Sequence, residues 1–432
     1  MRAGKPNPRS NPEFSVSPST LTVSQALDLV LGFCRTQLSN PPPSERVSLV
    51  DALGRVLAER VLLDQDQPPF DRAMRDGYAI VSADLEDPSR QLHCVGEVKA
   101  GEIKEFEVKA GTAVQIMTGA PVPTGFDAVV MVEHTLREGE DLRVGKPVRS
   151  GDNVARRGSE RTAGEVVLDL GKRIQTCDLA VLAAVGRISV QVYRKPDVAI
   201  LSTGDELVPI QQVPQPGQIR NSNSHSLYGQ VARAGGNPRI LESARDDVED
   251  LRRKIAAGLE CDLLLVSGGV SMGKYDLVEG VLSELGAHIH FDSVAMRPGK
   301  PVVFASHGKQ AVFGLPGNPV SSFVTFELFC RSVLKAAQGL RNEVLPLVPA
   351  RLEAEVHEKS GRTAFLPAQA VASSSSIHIR PVEWRGSADI FGLSGANALL
   401  LVPEEVSWLP AGASVQALLF DELLFEEGRG MK

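Results

Sequence analysis

The sequence predicts a multidomain α/β-plus-β protein organised around one mostly parallel sheet. Three observations predict it. From Pro196 to Ala337 short apolar runs alternate with helical periodicity, from Val61 to Glu133 short β-type runs are punctuated by Gly and Pro, and beyond Pro346 helical patterning stops. Near-continuous apolar strands separated by helices mark a parallel sheet covered on both faces. At 432 residues the chain is too long for one core and should divide into several.

The elements follow in order. Residues 1–20 carry Arg2, Lys5, Arg9 and several prolines but no apolar h-region, so a disordered tail is expected rather than a signal peptide. Val23, Leu27, Val30, Leu31 and Cys34 recur at helical spacing behind Thr22 and Ser24 as N-cap candidates, and Pro41-Pro42-Pro43 ends that helix. A second helix is predicted at about Val47 to Glu59. Residues 21–63 and 151–193, the latter with a helix near Cys177 to Val185 and a strand at Ile188 to Val192, are expected to pair as a discontinuous, elongated linker domain. Residues 64–150 form a small β-rich domain with strands such as Tyr78 to Val81, Val114 to Ile116 and Ala128 to Val132.

Residues 194–343 form the α/β domain. Its strands are Val198 to Leu201, Arg239 to Leu241, Leu263 to Val266, Val302 to Phe304 and Ala311 to Phe313. Its helices are Ser224 to Ala234, Val248 to Leu259, Tyr275 to Leu285 and Val320 to Ala337. Residues 344–432 read as short strands with turns, a β-barrel or sandwich.

Composition narrows the function. An apolar content of 43% with 23% charged residues excludes wholesale disorder. A net charge of −7 argues against nucleic acid as a partner, since neutralising phosphates needs a basic surface. The five cysteines are an odd, scattered set without C-x-x-C, which points away from disulfides or zinc and toward a reducing, cytoplasmic setting. No apolar stretch approaches the roughly 20 residues of a membrane span, so no membrane partner is expected.

In an open parallel sheet ligands bind beyond the C-terminal strand ends, and three loops fall there. Ser202-Thr203-Gly204-Asp205-Glu206 joins a tight glycine turn to acids suited to a metal or a hydroxyl. Ser267-Gly268-Gly269-Val270-Ser271-Met272-Gly273-Lys274-Tyr275-Asp276 offers glycine N–H groups to an anion just before a helix. Gly314-Leu315-Pro316-Gly317-Asn318-Pro319 places Asn318 as N-cap and Pro319 at the first helical position. Any one such loop is common in proteins that bind nothing, whereas three at neighbouring strand ends would surround one pocket. Asp246 and Asp247 precede a helix, where a cap explains them as well as metal binding does. Arg297-Pro298-Gly299-Lys300-Pro301 is a turn with two fixed positive charges suited to an oxoanion, or a solvated turn. Asp76-Gly77 is also an ordinary hairpin signal, and Thr118-Gly119-Ala120 specifies nothing alone.

Taken together these motifs resemble the molybdopterin molybdenumtransferase family, called MoeA in bacteria and represented in animals by the C-terminal domain of gephyrin. They are Ala52 to Ala58, Pro68-Pro69-Phe70-Asp71 with Asp76-Gly77-Tyr78-Ala79, Thr118-Gly119-Ala120-Pro121 with Asp127 to Val130, and Gly217-Gln218-Ile219, together with the three loops and the Pro298-Gly299-Lys300-Pro301 turn. The resemblance implies a MogA-like, molybdopterin-binding α/β domain, a C-terminal β-barrel and an elongated homodimer. It implies insertion of molybdate into adenylylated molybdopterin with release of AMP, dependent on Mg²⁺. The site is expected in a cleft between the α/β domain of one subunit and the β-rich domain of the other.

By motif match Asp76, Glu206, Asp246 and Asp276 are the candidate catalytic groups, and Glu206, Asp246 and Asp276 the metal ligands. Thr118, Ser202, Thr203, Gly204, Ser267, Gly268, Gly269, Ser271, Gly273, Arg297, Lys300, Pro316, Gly317, Asn318 and Pro319 are the candidate substrate contacts. Hard carboxylate oxygens suit Mg²⁺, and the pterin dithiolene supplies the sulfur that molybdenum requires. Molybdopterin adenylyltransferase and molybdoenzymes or their chaperones are the implied transient partners. Four stretches depart from the family pattern. Arg72-Ala73-Met74-Arg75 replaces Asn-Ser-Ala-Met, Glu160 replaces an aspartate, Ser293 and Arg297 replace lysines, and Asn221-Ser222-Asn223 replaces a more usual turn. The competing readings are an adenylyltransferase acting on molybdopterin, which the extra β-rich domains oppose, and a non-catalytic carrier or scaffold, which would not require Glu206, Asp246 and Asp276 together.

Overall fold

In the computed structural model, which describes residues 20–38, 41–87, 90–269, 277–340, 346–359 and 361–425, the chain separates into two units. One takes the chain up to Glu45, Gly54–Val56 and everything from Tyr193 onward; the other takes Arg46–Leu53 and Leu57–Val192. The predicted tail lies outside the described residues up to residue 19.

The larger unit is built on a six-stranded sheet in the order Asn237–Ile240, Asp197–Ser202, Leu263–Ser267, Gln310–Leu315, Pro301–His307, His288–Ser293. The first four strands are parallel and the last two join antiparallel. Val198 and Ile200 feed one core while Ala199 and Leu201 feed the other, as the two-residue strand period requires when both faces are covered. The strand His288–Ser293 has no counterpart in the sequence reading. It lies at the sheet edge, and its His288, His290 and Asp292 carry the polar character of an edge rather than an apolar run.

Two further expectations are corrected. Helix Val23–Gln37 starts on a Thr22/Gln25 capping box and buries Ala26, Val30, Phe33 and Cys34 in the same core as Val198, Phe304 and Leu334. It therefore belongs to the α/β unit and not to the linker segments; the linker core already has its own cover in helix Thr176–Ala184, which contributes Leu182. The predicted helix at Val47 to Glu59 is instead a strand, Ser44–Ser48, and a single 3-10 turn, Val50–Ala52. Gly54 sits at φ +76°, a left-handed position that no helix passes through.

The long helix predicted from Val320 to Ala337 runs as Pro319–Thr325, a π turn Phe326–Cys330, and Arg331–Ala337. The π turn carries the fully buried Glu327, which accepts from Arg233 at 2.6 Å and Gln230 at 2.8 Å and has Arg331 3.0 Å from its second oxygen. Beyond it, Leu347–Leu352, Thr363–Ala372, Ile377–Pro381, Ala398–Val402 and Ser414–Leu419 close into a barrel. The closing pair is Thr363–Ala372 with Ala398–Val402. Helical structure does not end entirely at Pro346, since Ile390–Leu393 is a four-residue helix.

In the smaller unit a six-stranded sheet runs Ala128–Met131, Gly77–Ile80, Thr112–Ile116, Leu92–Val98, Asp141–Val144, Thr135–Glu138. A separate core gathers Ala52, Leu57, Val61 and Leu63 with Leu168, Ile174, Leu182, Val190 and Val192. No helix among the described residues is long and apolar enough to cross a membrane.

Candidate functional site

Sheet register brings the three loops together. Ser202 lies beside Ser267, and Ser267 beside Leu315, so three neighbouring parallel strands end level and release their loops side by side. The chain leaves Asp197–Ser202 for Asn237–Ile240 on one side of it, whereas it leaves the adjacent Leu263–Ser267 for His288–Ser293 on the opposite side. A crevice at such a switch point follows from the topology alone.

One cavity of about 740 Å³ opens there. Its lining takes Ser202, Thr203, Gly204 and Glu206 from the first loop, Ser267, Gly268 and Gly269 from the second, Pro316, Gly317, Asn318 and Pro319 from the third, and Asp246 from the turn before helix Val248–Gly258. Ser271, Gly273 and Asp276 lie outside the described residues.

The rim is held by close backbone approach. Gly268 has φ +97°, its N–H donates to Leu315 O at 3.0 Å, and a Cβ on it would stand 2.5 Å from the carbonyl oxygen of Thr203. Gly204 donates its N–H to Ala244 O at 3.2 Å, with the Glu206 carboxylate folded against its Cα. These two amides are thus spent on the scaffold and do not face an anion. Those of Gly269 and Gly317 find no acceptor among the described residues.

The cap-or-ligand choice at the second acidic pair resolves by geometry. Asp247 is the cap, accepting from Asp250 N at 2.9 Å, which leaves Asp246 on the cavity wall, where its Oδ1 accepts from the Thr203 hydroxyl at 3.0 Å. Asn318 holds the N-cap position of its helix without capping it; its Nδ2 donates to Ser387 Oγ at 2.9 Å. Asn223 was not singled out from sequence as a contact, yet its Nδ2 donates to Ser267 Oγ and to Gly317 O, both at 2.8 Å, and so ties the second loop to the third. Asn221 works beside it, donating to Ser224 Oγ and Ser243 Oγ. The signal available was position, an Asn-Ser-Asn turn opening a helix.

The oxygen-only donor set at Glu206 and Asp246 fits Mg²⁺, which keeps several waters and takes one or two carboxylates plus substrate phosphate. Among the described residues no group of three His, Cys, Asp or Glu forms a closed cage.

Arg297 and Lys300 do not line this cavity. They line a neighbouring one of about 880 Å³, together with Arg362, Arg385 and Glu358, and the two cavities share Pro301, Pro316 and Asn318 as a wall. The reason is a short pairing of Met296–Arg297 with Thr363 and Ala364, which turns Arg297 toward the barrel. There its guanidinium is ion-paired with Glu358.

In the smaller unit Asp76 and Thr118 meet directly. Asp76 Oδ1 accepts from the Thr118 amide at 2.6 Å and from its hydroxyl at 2.7 Å. The hydroxyl, then the amide, hold the carboxyl below its ordinary range. Two of the departures from the family pattern pair with each other, since Arg72 Nη2 lies 2.7 Å from Glu160 Oε1.

Comparison with known proteins gives three family matches in chain order. Residues 21–186 match the MoeA N-terminal region (domain I and II), 199–336 the probable molybdopterin binding domain, and 349–420 the MoeA C-terminal region (domain IV). The chain is 34% identical over 390 residues to a molybdopterin molybdenumtransferase of Bacillus subtilis, covering 88% of this chain and 90% of that one. To the protein of that name from Staphylococcus aureus it is 32% identical, over 89% of this chain and 93% of the relative. Among solved structures, the molybdopterin biosynthesis MoeA protein from Pyrococcus horikoshii superposes with a TM-score of 0.79 at 32% identity. That match covers 93% of this chain and 100% of the other.

Proposed function

The chain belongs to the molybdopterin molybdenumtransferase family, and from that premise we propose that its two adjoining cavities divide the reaction, one holding the pterin substrate and the other the oxoanion. The activity is transfer of molybdenum to molybdopterin in molybdenum cofactor biosynthesis. The observation that carries the division is the common wall of Pro301, Pro316 and Asn318 between a carboxylate-bearing cavity and a cation-bearing one.

In this reading the strand-end cavity takes adenylylated molybdopterin. The amides of Gly269 and Gly317 meet its phosphates, Asn223 keeps the two loops in register, and Thr203 orients the Asp246 carboxylate. Glu206 and Asp246, with Asp276 by motif, hold Mg²⁺, which when bound neutralises phosphate charge. The neighbouring cavity takes molybdate on Arg297, Lys300, Arg362 and Arg385, and AMP is the released product. Asp76 and Thr118 act as a unit, the threonine fixing the orientation of the carboxylate. A homodimer is the proposed assembly.

The test is incubation of the purified protein with adenylylated molybdopterin, Mg²⁺ and molybdate, following AMP release and cofactor formation. Both products are expected, and Asp276→Ala should keep its fold but lose turnover. Pterin bound without either product would instead make the protein a carrier.

A further inference from the structure

We propose that Glu358 is a built-in counter-anion which opposes the pull of Arg297 on an entering oxoanion, so that this carboxylate sets the affinity and charge selectivity of the second cavity. The inference rests on the reading of that cavity as the oxoanion site.

Arg297 is anchored at the barrel edge, where its backbone pairs with Ala364. Its guanidinium Nη1 is bonded to Glu358 Oε1. The Glu358 side chain is only 9% exposed against 38% for Arg297, so the carboxylate is the enclosed partner and the guanidinium the one an anion can reach. Glu358 is itself fixed twice, its N–H donating to Ser407 O at 3.0 Å and its Oε1 accepting from the Lys359 N–H at 2.8 Å. Around this pair the cavity presents Lys300, Arg362 and Arg385, none of which lies within ion-pair distance of a carboxylate among the described residues. It also presents a second acid, Glu355, which accepts from the Trp408 indole N–H at 3.1 Å. Arg385 also bears on Asp389, which accepts from its backbone N–H at 2.8 Å.

A carboxylate set against one member of a cationic cluster makes a charge filter. The cations draw a dianion more strongly than a monoanion, and the repulsion from Glu358 likewise falls about twice as heavily on the dianion, so the carboxylate tempers both the affinity and the preference that the cations alone would give. Selectivity then arises from an opposing internal group as much as from attraction to the ligand.

The test uses the full chain and molybdate alone, without pterin, by equilibrium binding, with nitrate as the monoanion. Glu358→Gln keeps the shape and removes the charge. It should tighten molybdate by about tenfold, the scale of one exposed-to-half-buried charge pair. Nitrate should tighten less, so that the preference for the dianion grows. Unchanged molybdate affinity, or an unchanged preference, overturns the proposal. Should the Gln variant unfold early, Glu358→Asp carries the test: it keeps the charge but shortens the reach, and must shift both affinities in the same direction by less. Arg297→Gln and Lys300→Gln separate the two layers of the argument. If both weaken molybdate while Glu358→Gln is neutral, the cavity is the oxoanion site and Glu358 is not its filter. If neither changes binding, the oxoanion reading of the cavity fails and takes the filter with it.

Discussion

Asp76 is an exposed carboxylate that receives both donors of a single residue, the Thr118 hydroxyl and amide. Thr118→Val removes the hydroxyl and leaves the amide, so the Asp76 pKa should rise toward its ordinary value without reaching it, which a carboxyl-carbon NMR titration would follow. The sign for stability follows from the direction. A carboxyl whose folded pKa is depressed adds stability that is present above its unfolded pKa and is lost as the pH falls through the lower folded value. The valine variant should therefore lose part of its acid-side stability and nothing near neutrality. No movement of the titration would show that the hydroxyl does not tune this carboxylate. Residues of this kind were only half legible in the sequence. Asp76 and Thr118 are 42 positions apart, and no periodicity links them. Only the order of motifs suggested the pair, and only the antiparallel pairing of Gly77–Ile80 with Thr112–Ile116 explains why the two loops meet.

At the scale of elements, the loops were legible because their constraint is glycine itself, whereas partners and ends were not. The two glycines at the heart of the site make opposite demands. Gly268 is left-handed and backs onto the Thr203 carbonyl, a backbone atom that cannot swing aside, while a Cβ at Gly317 would meet only the Gly268 Cα at 3.7 Å. Gly268→Ala should cost about 1–3 kcal/mol in urea unfolding and pry the first and second loops apart. Gly317→Ala should leave the unfolding midpoint within about 0.5 kcal/mol of the parent. Equal stability of the two variants would mean that the close approach at Gly268 is not what holds the rim. The failures of the sequence reading have physical causes of the same local kind. Leu49 and Ala52 are apolar at an i,i+3 spacing that suits a helix, but the left-handed Gly54 stops one, and with Val47 they feed the linker core from a strand and a turn. Arg297 was expected as a substrate contact at the strand-end pocket because it belongs to a motif turn with two fixed positive charges. The two-residue pairing that carries it to the barrel has no signature in one chain read alone.

At the scale of the molecule, the α/β domain and the barrel are separate in sequence and in family matching, yet they share one core. Phe365, Leu393, Leu399, Leu418 and Phe420 are buried in the same cluster as Val198, Phe304 and Phe313. Phe420 is a hinge pin of that junction. Its ring packs edge-on against Phe323 at 4.8 Å, Arg233 lies over its face at 5.8 Å, and its N–H donates to Asn397 O at 3.1 Å. Truncating a buried aromatic with these contacts costs about 3–5 kcal/mol. Because the ring belongs to both domains, the loss should not stay in the barrel. In Phe420→Ala, hydrogen exchange should accelerate together in Ser414–Leu419 and in the helical stretch Pro319–Thr325 that carries Phe323. Molybdate affinity should fall in parallel, since Ser387 and Asn318, which bond across the same junction, both line the cation-bearing cavity. Protection lost in the barrel strands alone would make the barrel an independent folding unit, with the second cavity a seam between two bodies. Loss in both elements at once makes the oxoanion cavity a property of one cooperative core.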